Sequence, residues 1–126
     1  MTLQDADFML ELKNYEETRQ FAIASHEEIK KDDHYKWLEK NLQYFQVIID
    51  HLDRDVGAVR IQDDEISIWV DRKFRKQGIA TRALRDISDW GMTAKIVNGN
   101  VSSMRAFIAA EFSPIKYVDN YYILQK

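Results

Sequence analysis

"EISIWVDRKFRKQGIATRAL", residues 65–84, is the stretch whose reading decides the fold. In its first six residues Ile66, Ile68 and Val70 alternate with Glu65, Ser67 and Trp69, the two-residue period of a strand with unlike faces. From Gly78 the period changes. Ile79, Ala83, Ile87 and Trp90 recur at helical spacing with Leu84 flanking them, which predicts a helix over 78–90, stopped by Gly91. Between strand and helix runs a basic loop. Arg72, Lys73, Arg75, Lys76, Arg82 and Arg85 fall within 72–85, and no Asp or Glu stands among them. "TAKIV", 93–97, supplies the next strand, so the quoted stretch opens a strand–helix–strand crossover.

Upstream, "YFQVIIDHL" (44–52) and "VGAVRIQ" (56–62) are separated by Asp53, Arg54 and Asp55, a hairpin-length connection. "EISIWV" follows after Asp63 and Asp64, so an antiparallel meander is expected over 44–70. Nearer the N-terminus, Phe8, Leu12, Tyr15, Phe21 and Ile23 are loosely helical in spacing, with a break near Asn14. "KDDHYKWLEKNL", 31–42, predicts a second helix capped by Asp32 or Asp33, with Trp37, Leu38 and Leu42 turned inward. Downstream, "VSSMRAFIAAEF", 101–112, predicts a helix with Asn100 at its N-cap. Pro114 cannot continue it, and "IKYV" and "YYILQ" form a last hairpin around Asp119 and Asn120. The expected architecture is an α/β (α+β) sandwich: one domain over 1–126, a mixed but mostly antiparallel sheet flanked by helices.

Composition narrows the function classes. A chain of 126 residues is long enough to bury a core, and its apolar fraction of 45% and charged fraction of 31% are those of a globular protein. Without cysteine there is no disulfide, thiolate nucleophile or cysteine metal site, and no metal is expected; the absence fits a reducing, cytoplasmic setting. "MTLQDADFML" lacks the basic start and apolar run of a signal peptide, and no segment is apolar enough to span a bilayer. A net charge of −3 argues against nucleic-acid binding, so the cationic stretch at 72–85 suits a small anion better than a polymer.

The first amides of a helix lack internal acceptors and carry the positive end of its dipole, which makes the start at Gly78 a candidate anion site. Gly78 lets a phosphate approach the backbone and Ala80 keeps the first turn uncrowded. Neither the GxxxxGK[ST] loop nor GxGxxG is present. On local physics alone the stretch is a phosphate cradle or a solvated helix start.

"RKQGIA", 75–80, matches the [RQ]-x-x-G-x-[GA] signature of the GNAT superfamily of acetyl-CoA-dependent N-acetyltransferases, and it follows a strand and opens a helix as in that family. "NVSSMRAFIAAEF", 100–112, resembles the segment after the family's fifth strand. The resemblance runs from about residue 5 to the end. "ELKNYEETRQFAIASHEEIKKDDHYKWLEKNL", through Asn14, Arg19, Ser25, Ile29, His34 and Trp37, further resembles sugar-amine acetyltransferases, among them enzymes of pseudaminic-acid biosynthesis that acetylate nucleotide-linked amino sugars.

The resemblance implies a GNAT-like fold with its first strand short or missing, and a cytoplasmic transferase acting without metal on acetyl-CoA and a small amine. It implies that the pyrophosphate of acetyl-CoA rests on amides of Arg75, Lys76, Gln77, Gly78, Ile79, Ala80 and Thr81. The pantetheine arm would pair with backbone near Trp69 and Val70 and meet Asn100 and Ser103, with Phe107 near the thioester. Asn100 equally suits a plain helix cap. Glu65 and His34 are the candidate bases, against readings as a solvated hairpin residue and a surface helix residue. Arg19, His26 and His34 are candidate substrate contacts, or surface charges. The sequence departs from the family in three places. Phe107 stands where a tyrosine acid is common, leaving Tyr117, Tyr121, Tyr122 or water to substitute, or the tyrosines merely to pack; Glu111 stands for a glycine before Phe112; and the incomplete sheet edge suits cover by a second copy in a homodimer. Alternatives are a non-catalytic CoA-binding or regulatory module, an enzyme acting on a protein or polyamine amine, and an interaction protein using the basic loop.

Overall fold

The computed structural model describes residues 3–15 and 30–126. A short 3-10 turn, Leu3–Asp5, leads into α1, Ala6–Asn14, and α2 spans Lys31–Asn41. The meander follows as β1 (Phe45–Ile49), β2 (Asp55–Gln62) and β3 (Glu65–Val70). A 3-10 turn at Arg72–Phe74 and α3, Ile79–Ile87, cross to β4, Thr93–Val97; α4 (Val101–Ala109), β5 (Ser113–Val118) and β6 (Tyr121–Gln125) complete the order.

All six strands form one sheet in the order β1-β2-β3-β4-β6-β5. Its pairings are antiparallel except β3 with β4, which run parallel because α3 carries the chain back between them. Among the described residues no strand precedes α1, in keeping with the expected loss of the family's first strand. Strand alternation sorts side chains onto two layers. Val59, Ile66, Ala94, Ile96 and Leu124 pack with Leu84 of α3 and Ala106 and Phe107 of α4. On the opposite face Phe45 and Ala58, with Trp69 against them, pack with Met9 and Leu12 of α1 and Leu38 of α2.

Several boundaries differ from the sequence expectation for local reasons. α2 is capped by Lys30 in extended conformation rather than by Asp32 or Asp33, which lie in the first turn where carboxylates favour the dipole. α3 stops at Ile87, not at Trp90. Ser88 takes extended dihedrals, and its N–H and hydroxyl both return to the Leu84 carbonyl. Trp90 therefore leaves the apolar face and is 73% exposed. α4 ends at Ala109 in a Schellman turn. Phe112 N–H donates to Phe107 O (3.0 Å), Glu111 N–H donates to Ile108 O (3.0 Å), and Glu111 is left-handed at φ 75°. Pro114 lies in β5, the outer strand, next to a register shift, where a missing N–H costs little.

Candidate functional site

The parallel pairing of β3 with β4 holds where Glu65 faces Thr93, whose N–H donates to Asp64 O at 2.8 Å. Beyond that point no β3 residue is paired with β4, so the two strands splay toward their C-terminal ends. Asp71 N–H donates to Val56 O (2.8 Å), and this sets the alternation along β3. Glu65, Ser67 and Trp69 exchange backbone bonds with β2, whereas Ile66, Ile68 and Val70 direct theirs toward β4. The Thr93 bond to Asp64 gives the same parity from the other side. The peptide groups of Ile68 and Val70 consequently face the gap. The main chain of Trp69, which the sequence reading placed at this edge with Val70, is turned to β2, and the gap-facing peptide beside Val70 is that of Ile68.

Gly57 keeps β2 close to this segment. A Cβ there would stand 2.4 Å from Trp69 O, so the ladder tolerates only glycine without moving. Val70 O is not idle, since Arg75 Nε donates to it at 3.2 Å.

The open end of the gap is where both crossover helices begin. Gly78 is the N-cap of α3 in the left-handed conformation, and Lys76 is left-handed two residues earlier. The first intrahelical bond runs from Arg82 N–H to Gly78 O (3.1 Å), so the amides of Ile79, Ala80 and Thr81 precede it without a helical acceptor. Among the described residues nothing lies within 4 Å of where a Gly78 side chain would begin. At the second helix Asn100 is indeed the N-cap, its Oδ1 accepting from Ser103 N–H at 3.3 Å.

The cationic stretch divides by task. Arg82 Nη2 donates to Gln77 O (3.1 Å) and holds the loop, while Arg85 donates to Ala109 O (3.2 and 3.0 Å) and caps α4. The Arg72 guanidinium lies 3.8 Å over the Tyr15 ring. Lys73, Lys76 and Gln77 are exposed. Asp71, 4% exposed, fastens the loop to α1: its Oδ1 accepts from Lys73 N–H (3.0 Å) and from the Tyr15 hydroxyl (3.2 Å).

The remaining candidates scatter. Glu65 is half-buried at the closed end of the gap, 3.7 Å from Lys95 Nζ. His34 is not a surface residue: it is 2% exposed, and its Nε2 bonds Ala6 O at 3.1 Å. Burial foremost, helped by the Lys13 charge, pushes its pKa down. Phe107 is 3% exposed, edge-on to Phe112 with ring centres 5.0 Å apart. Tyr117 lies on β5, with β4 and β6 between it and the gap, a separation of about 10 Å. It is exposed, its hydroxyl donating to Asn120 Oδ1 (3.2 Å). Arg19 and His26 lie outside the described residues, as do Phe21, Ile23, Ser25 and Ile29.

Sequence reading also missed Lys13 and Arg60, which share the sheet face of Trp69. Lys13 Nζ stands 3.8, 5.5 and 5.6 Å from the ring centres of Trp37, Phe45 and Trp69. Burial first, then the Arg60 charge, lowers its pKa to about 8. The signal was available: Lys13 is four residues after Met9, on the inward stripe of α1. Among the described residues no cluster of His, Asp and Glu could hold a metal ion, and no helix is long and apolar enough to cross a membrane.

A family model described as an acetyltransferase (GNAT) domain matches residues 1–113. No curated protein matches the chain in sequence. Among solved structures, a domain from Methanocaldococcus jannaschii superposes with TM-score 0.83 at 20% identity, covering 100% of this chain and 94% of that one. A GNAT-family acetyltransferase from Bacillus anthracis superposes with TM-score 0.81 at 13% identity, covering 98% and 89%. An aminoglycoside acetyltransferase in complex with coenzyme A and kanamycin gives 0.76 at 14%, covering 100% and 91%. At such identities the likeness is one of fold.

Proposed function

The chain belongs to the GNAT acetyltransferase family, and we propose that it moves an acetyl group from acetyl-CoA to a primary amine of a small molecule. One juxtaposition carries this reading. The splayed edge of β3, with Ile68 and Val70 peptides turned into the gap, leads directly to the left-handed start of α3 at Gly78. An extended, hydrogen-bonding arm ending in a pyrophosphate has the shape and charge for both. The unbonded amides of Ile79 to Thr81 would receive the phosphates, and Asn100 and Ser103 flank the arm from α4.

In the reaction the amine nitrogen attacks the thioester carbonyl, an amide forms and the carbon–sulfur bond breaks. A gap-facing N–H of β3 steadies the oxyanion. An alkylamine with pKa near ~10 must first lose a proton. Glu65, the carboxylate of β3 and on the same face as Trp69, accepts it through water. The departing thiolate is protonated by solvent, because Phe107 has no hydroxyl and Tyr117 is two strands away.

For the acceptor we propose an amino sugar, in the first place a nucleotide-linked one. Two observations support it: the resemblance through Asn14, His34 and Trp37, and the kanamycin complex of the aminoglycoside acetyltransferase. A ribosomal-protein-alanine N-acetyltransferase from Brucella melitensis superposes as well, with TM-score 0.75 at 17% identity, so a protein amine is the second reading.

Thermal melting with and without acetyl-CoA tests the donor. A rise in Tm that Gly78→Glu removes is expected, since the new side chain meets strain at φ 75° and repels phosphate. No rise at millimolar acetyl-CoA would overturn the reading. A rise without CoA release across a panel of amines, nucleotide-linked amino sugars included, would favour a CoA-binding module instead.

A further inference from the structure

On the sheet face that carries Trp69, two cations lie without a counter-charge among the described residues. Arg60 of β2 stands opposite Phe45 on one side and Ser67 on the other, which puts all three on one face with Trp69. Its Nε is buried and has no hydrogen-bond partner among the described residues, while Nη2 donates to Gln62 Oε1. Lys13 Nζ stands 5.5 Å from the ring of Phe45, the residue paired with Arg60 across the strands, and lies against the rings of Trp37 and Trp69 as well. Neither cation has an acidic partner among the described residues. Glu65, on the same face, turns to Lys95 instead.

A buried guanidinium N–H left unbonded beside a second desolvated cation is costly, and an anion between them relieves both penalties at once. We propose that Lys13 and Arg60 form a subsite for an anionic group, a carboxylate or a phosphate, borne by the same small molecule whose amine is acetylated. The proposal rests on the acetyltransferase reading and narrows its acceptor to an anionic primary amine. Scale supports a small molecule. Arg60 faces Ser67, two residues from Trp69 along β3, a distance of about 7 Å. The amine at the gap and the acid at Arg60 are then a few bonds apart. Exposed Trp37 and half-buried Trp69 give the intervening body apolar surface to lie against.

The test compares matched acceptors: an amino acid against its primary amide, and a phosphorylated amino sugar against the free sugar. At least one acidic member is expected to exceed its neutral partner in kcat/KM by about ten-fold or more, the scale of a charged hydrogen bond. Which pair does so distinguishes carboxylate from phosphate. Arg60→Gln should bring that ratio near one while the acetyl-CoA melting rise persists, and Arg60→Lys should restore part of it. Lys13→Met, which leaves the strand unaltered, provides a second variant should Arg60→Gln fold poorly. In parallel, quenching of Trp37 and Trp69 fluorescence is titrated with each acceptor on the free protein, in a Trp90→Phe background. This readout needs neither acetyl-CoA binding nor turnover. Equal behaviour of acidic and neutral members in both readouts, or a ratio that survives both variants, overturns the subsite. Acid-selective quenching in a protein that ignores acetyl-CoA would instead overturn the acetyltransferase reading and leave the subsite standing.

Discussion

Lys13 Nζ lies 3.8 Å above the centre of the Trp37 indole, and after burial the cationic charge of Arg60 lowers its pKa further. The folded state therefore releases the Lys13 proton early, at a pKa of about 8 against the ordinary 10.5. Below about pH 8 both folded and unfolded chains hold the proton, and the full cost of burying the charge is present. Between about 8 and 10.5 the unfolded chain keeps a proton that the folded one gives up, so this cost falls as pH rises. The stability of Lys13→Met minus that of wild type should be largest near neutrality. It should shrink across that window by up to roughly 1.4 kcal/mol per pH unit. Urea unfolding at a series of pH values measures it; a difference that stays flat with pH would show Lys13 to be solvated.

The loop beneath the proposed pyrophosphate is held from α1. The Tyr15 hydroxyl has one hydrogen and two acceptors in reach, Glu11 Oε1 at 3.0 Å and Asp71 Oδ1 at 3.2 Å, and burial with these neighbours pushes its pKa up. Tyr15→Phe should cost about 1–2 kcal/mol, as buried Asp71 loses a donor. It should also weaken acetyl-CoA binding in calorimetry, because the turn at Arg72–Phe74 is no longer tied to the helix. Destabilisation with unchanged acetyl-CoA affinity would confine the contact to folding.

Much of this arrangement was legible from the sequence because periodicity governs it. The switch at Gly78 from period two to helical spacing located β3 and α3, and "TAKIV" marked β4 to the residue. What escaped depended on partners distant in the chain. Glu65 and Trp69 look equivalent in "EISIWV", yet β4 reaches only the Glu65 end, and the parity of the β2 ladder, not residue type, decides that Ile68 faces the gap. Lys13 lies on the inward stripe of α1, but only the stacking of α1 on the sheet brings it to the face that carries Arg60. Trp90 kept helical phase in the sequence, but Ser88 ended the helix before phase mattered.

His34 illustrates the same limit and carries its own prediction. The Nε2–H of the buried imidazole donates to Ala6 O and ties α2 to the start of α1; burial disfavours the cation more than that bond favours it. Its pKa is depressed below 6.5, so stability is full above the unfolded value and is lost as pH falls from there through the folded value, where the buried ring must charge. His34→Gln, which retains a donor, should be less stable than wild type at neutral pH and should flatten the loss seen below about pH 6.5. The pH profile of acetyl transfer should keep its shape in the same variant. A displaced limb in that profile would return His34 to the reaction as a base.

Glu111 occupies the left-handed residue that closes α4, the position where helices favour glycine. The Schellman bonds around it are formed, and the Phe107–Phe112 ring contact supplies the hydrophobic clasp that accompanies such turns. The geometry is thus fully built, and the cost of a side chain at φ 75° is borne by backbone strain alone. Left-handed dihedrals cost a non-glycine residue about 1–2 kcal/mol, against which glycine loses about 0.4–1 kcal/mol of unfolded-state entropy. Glu111→Gly should therefore raise stability by up to about 1 kcal/mol, read as a higher denaturant midpoint with an unchanged slope. Glu111 is exposed and has no side-chain bond among those described, so no contact is lost to offset the gain. A lower midpoint would mean that the carboxylate does something at the surface of α4 beyond closing the turn.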